Sequence, residues 1–151
     1  MRKMMGTVFV RSHAETRRRR AMLVIMLFGG LIAHAVVRHL NQAPLETLEP
    51  YDYWTILSGM IGAVIAYRTA EGHLGLPGVW GAVRAFGAGI WITLAGAVIG
   101  GTLVLPGFGT MFGPLSVIVT LIEAPVLLVL WAATIFGAHR TLHNLRFEMT
   151  Y

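Results

Sequence analysis

Apolar residues in this chain fill long blocks instead of alternating or recurring as a single stripe. Four such blocks, at about 21–39, 52–68, 84–105 and 114–138, are separated by short polar or glycine- and proline-bearing stretches. Segments that are apolar on every side belong in lipid or inside a bundle within lipid. A bilayer core needs about 20 such residues per helix. The pattern therefore predicts an all-α polytopic membrane protein, with a four-helix transmembrane bundle over 21–138, a tail at 1–20 and a short tail at 139–151. The punctuation agrees. Leu40 to Asp52 carries Glu46, Glu49 and Asp52 with Pro44 and Pro50, an acidic loop in which Pro50 is placed to open the second helix. Tyr51, Tyr53 and Trp54 at one end of that helix and Tyr67 at the other read as interfacial belts, with Arg68 snorkelling. Thr69 to Val83, with Gly72, Gly75, Pro77 and Gly78, reads as a turn region. Pro106 to Pro114 reads as a tight glycine-rich turn, with Pro114 starting the last helix. Gly107-Phe108-Gly109 lacks the preceding threonine and valine of a potassium filter, since Leu105 and Pro106 stand there.

Composition changes this picture only by sharpening it. Of 151 residues, 56% are hydrophobic and 13% charged, outside the soluble range. Lys and Arg are distributed unequally between the two sides. Seven lie in the N-terminal tail, two around the second connection (Arg68, Arg84) and two in the C-terminal tail, which leaves only Arg38 opposite. The positive-inside rule then puts both termini in the cytoplasm, in a multi-pass protein of a bacterial inner membrane. The run Arg17, Arg18, Arg19, Arg20 is read as an anchor at the membrane surface, touching anionic headgroups. The formal charge of +5 does not indicate nucleic acid, because Phe9 is the only aromatic in the basic tail. A signal peptide ending near Ala33-His34-Ala35 is the alternative for the first block, but the apolar run from Ala21 to Val37 exceeds the usual ~7 to 15 residues of a signal core. With no cysteine, thiolate chemistry and thiolate metal sites are excluded.

The third block carries the most ordered pattern. Ala85, Gly89, Thr93, Ala97 and Gly101 recur every four residues, and Gly96 with Gly100 adds a GxxxG step on the neighbouring ridge. Small residues at that spacing let another helix approach closely, which supplies the packing that hydrophobicity does not supply in lipid. The expected use is packing within the bundle. Homo-oligomerisation or docking of another membrane subunit is the alternative.

Glu123 is the acid expected mid-span in the fourth block. An ionised carboxylate there costs about 2.5 kcal/mol or more, so it must be neutral, paired or turned to a polar cavity. His34 and Arg38 share a face of the first helix, and Glu123 is expected at similar depth, about 13 Å from the outer end of a straight fourth helix. Ser116 and Thr120 continue its side, and Pro125 frees the carbonyl of Leu121. A polar cluster of Glu123, His34, Arg38 and Thr120 is expected to fix helix register. Alternatively, Glu123 binds a proton or cation. His34 and His39 are five apart and do not face one ligand on a straight helix, while His139 and His143, four apart, are read as complementing a helix terminus. No nucleophile and base pair, phosphate loop or acid dyad is visible, so no catalytic residue, metal or cofactor is expected. The function expected is a non-catalytic accessory or structural subunit of a larger inner-membrane assembly, with a small oligomeric transporter or channel protomer using Glu123 as the alternative. Its partners would be the bilayer and other membrane subunits or further copies of the chain.

Overall fold

The computed structural model describes residues 2–41 and 49–148, with side chains over 15–39 and 49–144. The described residues form five α-helices and no strand: α1 (Arg2–Asn41), α2 (Pro50–Ala70), α3 (Gly78–Val104), α4 (Phe108–Glu123) and α5 (Pro125–Glu148), with a 3-10 turn at Glu71–His73 after α2. Among the described residues three segments are long and apolar enough to cross a bilayer: Glu15–His39 of α1, Gly78–Val104, and Pro125–Asn144 of α5. The surface matches that solvent. Leu27, Trp80, Val126 and Val129 stand exposed, and apolar side chains of this kind on the outside of a bundle suit lipid.

Both expected tails are extensions of helices. Arg2 to Arg20 continues into the first apolar block without proline, and α5 runs ten residues beyond Ala138 to Glu148. Most of the acidic loop expected before α2, including Glu46, lies outside the described residues. Its end is described. Pro50 is the first helical residue of α2, and Asp52 Oδ2 accepts from the Glu49 backbone N–H at 2.9 Å, one half of a capping box.

Glycine contacts set the helix order. Gly29 lies against Gly59 and Ala63, and Gly59 against Ala33, so α2 runs antiparallel to α1. Gly62 lies against Gly96 and Gly100, and Gly100 also meets the backbone of Ser58, so α3 runs antiparallel to α2. The C-terminal ends of α1 and α3 therefore share one end of the bundle, the His39 end. Their N-terminal halves share the other, the Arg18 end, where an ion pair joins Arg18 to Glu71, with Arg18 Nη2 donating to Glu71 Oε2 at 2.6 Å. Tyr67, expected at an interface, is fully buried there beside Leu74, Ala138 and Leu142. The packing of α1, α2 and α5 around it outweighs the belt preference of an isolated helix end.

The largest departure from expectation is in the fourth block. Instead of one helix over 114–138, the chain forms α4 and α5 with a break at Ala124. Proline at 125 has no N–H to continue the helical ladder to Leu121. The backbone turns there: Ala124 N–H donates to Thr120 O at 3.0 Å, and Ala124 O accepts from Leu127 N–H at 2.9 Å. Pro114, expected to start the helix, instead lies inside α4, which begins at Phe108 after Gly107 takes φ +83°. That left-handed φ admits glycine at little cost.

The path of α4 follows from its neighbours. Gly109 packs on Gly101 and Gly113 on Ala97, while Trp131 of α5 reaches Thr93. Between Gly113 and Trp131 the chain thus advances along α3 only from Ala97 to Thr93, about 6 Å, whereas a straight helix would cover about 27 Å. The difference is lateral travel. α4 swings from α3 across to α1, where Val117 joins Ile32 and Glu123 meets His39. From the break, α5 descends along α3 toward the Arg18 end, with Ile135 against Gly89.

Candidate functional site

Because α4 departs from α3 and rejoins the bundle at α1, the helices enclose a space at the His39 end. It is a cavity of about 260 Å³. Phe28 and Ile32 of α1 form one wall, Gly96 and Gly100 of α3 the floor side, and Phe112 and Ser116 of α4 the wall opposite. Trp131 and Ile135 close it at depth. Tyr51, Leu105 and Phe108 line its mouth and are exposed. Among the described residues no charged side chain lines it.

Most of the cavity wall is apolar, and three of its polar groups, on Thr55, Thr93 and Trp131, are already engaged. Thr93 Oγ1 donates to Gly89 O at 2.8 Å and accepts from Trp131 Nε1 at 2.8 Å, so neither group asks for a ligand. Thr55 Oγ1 likewise donates to Tyr51 O at 3.0 Å. Trp131 is fixed further by Phe86, whose ring meets it edge-on at 5.6 Å. A space of this kind attracts apolar chains, since an apolar cavity stays dry and its wall atoms lack dispersion partners until something fills it.

The sequence-predicted polar cluster is only partly assembled. Glu123 Oε2 lies 3.1 Å from His39 Nδ1, with the two side chains 54% and 42% exposed. The acid is therefore at a half-exposed helix end instead of mid-span, because the break at Ala124 ends α4 directly after it. His34 has no polar partner among the described residues, and Arg38 is engaged in a contact of its own. Thr120 turns inward: it is buried, and its hydroxyl has no hydrogen-bond partner among the described residues. Ser58 and Tyr67 hydroxyls share that state. Spacing did not reveal them, since each lies in a block whose other residues are apolar or interfacial.

The small-residue ridge is occupied from within the chain. Gly96 and Gly100 face α2, Ala97 and Gly101 face α4, and Gly89 with Thr93 faces α5. Ala85 is fully buried in the same core as Tyr67. At the Arg18 end, His139 Nδ1 accepts from the Gly75 backbone N–H at 3.1 Å, which uses the nitrogen a metal would need. Among the described residues no group of three or more His, Cys, Asp or Glu is placed to hold a metal ion. Comparison of the chain with protein families, curated proteins and solved structures returned no match. The geometry alone therefore carries the functional reading.

Proposed function

We propose that this protein is a non-catalytic, multi-pass component of a bacterial inner membrane, an accessory subunit whose service is to hold one apolar chain, acyl or isoprenoid, within its ring of helices. In this reading α1, α2, α3 and α5 cross the bilayer and α4 is a re-entrant helix of the outer leaflet. The arginine-rich Arg18 end then faces the cytoplasm, with both termini on that side. The apolar cavity of about 260 Å³ is the observation that carries the proposal. Left empty, its walls would forgo dispersion contacts, a penalty that grows with the unfilled volume. In a membrane the neighbouring molecules able to remove that penalty are hydrocarbon chains.

Docking to a partner subunit would use faces other than the small-residue ridge, since α2, α4 and α5 occupy it. The carrier alternative draws less support. Glu123 is half exposed beside His39 and does not line the cavity, and the cavity offers no polar path for a proton or cation.

The test is to purify the full chain in a mild, lipid-preserving medium and identify by mass spectrometry every chain and apolar molecule that remains. One retained apolar molecule per protein is expected, and Ser116→Trp, which fills the cavity from α4, should reduce it several-fold while preserving helicity. Equal retention by both proteins would refute the assignment. The same spectra show whether other subunits accompany the protein in fixed stoichiometry.

A further inference from the structure

A second concavity lies at the opposite end, between α1 and α5. Its volume is about 720 Å³. On α1 it is lined by Arg17, Arg20 and Val24, which recur on one helical face, and on α5 by Ala133, Gly137 and Asn144. The two helices run antiparallel, so polarity is sorted along the groove. Arg17, Arg20 and Asn144 stand at the end nearest the chain termini, and Val24 with Ala133 lies deeper among the exposed apolar surface. Among the described residues no acidic side chain lines it. The neighbouring Arg18 points elsewhere, to Glu71. Arg17 also makes a contact within the chain, and Thr141, a further lining residue, donates its hydroxyl to Gly137 O at 2.8 Å.

We propose that this groove binds the phosphate of one anionic glycerophospholipid, with Arg17 and Arg20 at the phosphate, Asn144 donating from its amide, and an acyl chain lying over Val24, Ala133 and Gly137. The assignment rests on the reading that α1 and α5 cross a bilayer. Charge complementarity selects the ligand: two guanidiniums at headgroup depth match an anionic phosphate, and basic pockets between membrane helices on the cytoplasmic side recognise such headgroups. The apolar trough beyond them selects a lipid over a free phosphate. Gly137 leaves the trough open, because nothing lies within 4 Å of where its Cβ would be.

The experiment uses the full chain, purified and exchanged into vesicles or micelles containing phosphatidylglycerol, phosphatidylcholine or both, followed by native mass spectrometry of retained lipid. One phosphatidylglycerol is expected to remain per protein in preference to phosphatidylcholine, in addition to the apolar molecule of the first cavity, whose retention the arginine variants should leave unchanged. Arg17→Gln with Arg20→Gln should weaken that retention about tenfold or more, given ~1 kcal/mol for each basic residue near the surface. Arg19→Gln, which removes the same kind of charge outside the groove, should leave it within twofold. Gly137→Leu should also reduce retention, with helicity checked by circular dichroism. Equal retention of the two lipids would overturn the site. So would a loss in Arg19→Gln as large as in the double variant, which would mean general surface attraction. Displacement by millimolar inorganic phosphate would instead mark a simple anion site and overturn the lipid. A carbonate wash separates the two levels: release of the protein from membranes refutes the membrane reading itself, whereas a carbonate-resistant protein without lipid preference refutes only the groove.

Discussion

In the proposed four-span arrangement, Gly62→Leu should release α2 from the bilayer. α2 is absent from the helices apolar enough to cross unaided, and it carries Asp52, Ser58 and Arg68. Asp52 and Arg68 lie in its end turns, and the apolar stretch between them is shorter than those of α1, α3 and α5, so α2 depends on its neighbours more than they do. Its contact with α3 is backbone to backbone. A Cβ on Gly62 would press on the Gly96 carbonyl and lie 2.9 Å from Gly100 N, where ordinary contact begins near 3.4 Å. Backbone atoms cannot rotate away as a side-chain tip can. The two helices must therefore separate by about 0.5 to 1 Å, which forfeits a quarter to a half of the dispersion energy along the seam. Overpacking of this kind costs about 1 to 3 kcal/mol, and the longer leucine side chain places the loss toward the upper part of that range. The chain has no cysteine, so single reporters can be introduced cleanly. Cysteines at Tyr53 and His73 should react with an impermeant maleimide from opposite sides of sealed vesicles in the parent protein. In Gly62→Leu both should become accessible from one side. Unchanged sidedness together with unchanged thermal stability would refute the argument that glycine packing holds α2 in place.

Removing the Glu123 pair, by Glu123→Gln or His39→Ala, should cost about 1 kcal/mol or less, because half-exposed ion pairs contribute little; a loss above about 3 kcal/mol in thermal unfolding would mean the pair is buried. Trp131→Phe keeps most of the ring but removes the donor to Thr93, and is expected to destabilise by about 1 kcal/mol, with a larger loss if the neighbouring wall collapses. Gly107→Ala should destabilise by about 1 to 2 kcal/mol because alanine resists φ +83°, whereas Gly72→Ala, at an open position without a positive φ, should be neutral. Equal melting temperatures for those last two variants would contradict the left-handed turn before α4.

Some of the site was legible from spacing. The small residues of the third block are visible as a repeat, and Gly89 and Gly101 on the four-residue ridge, with Gly96 and Gly100 on the neighbouring one, stand at close helix contacts. Spacing did not say which helix each would meet, since a small residue admits any neighbour. Pro125 announced a freed carbonyl, but whether that produces a kink or a full break depends on what the next segment packs against. Here Thr93 holds Trp131 and Gly89 receives Ile135, which fixes α5 along α3 whatever direction α4 takes. Glu123 was misplaced for the same reason. Its depth was counted along a straight helix, and the break moved it to a half-exposed end beside His39.

The sequence by itself determined the solvent, the helical class and the cationic end. Those properties follow from local composition: long apolar blocks exclude water, a backbone in lipid must satisfy its hydrogen bonds within its own helix, and arginines gathered at Arg17 to Arg20 mark one surface. The tertiary structure alone decided that the fourth block breaks at Ala124, that a cavity opens between α4 and α1, and that Arg17 and Arg20 face α5 while Arg18 faces Glu71. In hydrocarbon, leucine against lipid and leucine against another helix differ little in free energy. The hydrophobic pattern therefore marks three helices as able to cross a membrane without saying which face meets which, and only close packing among distant residues makes that choice.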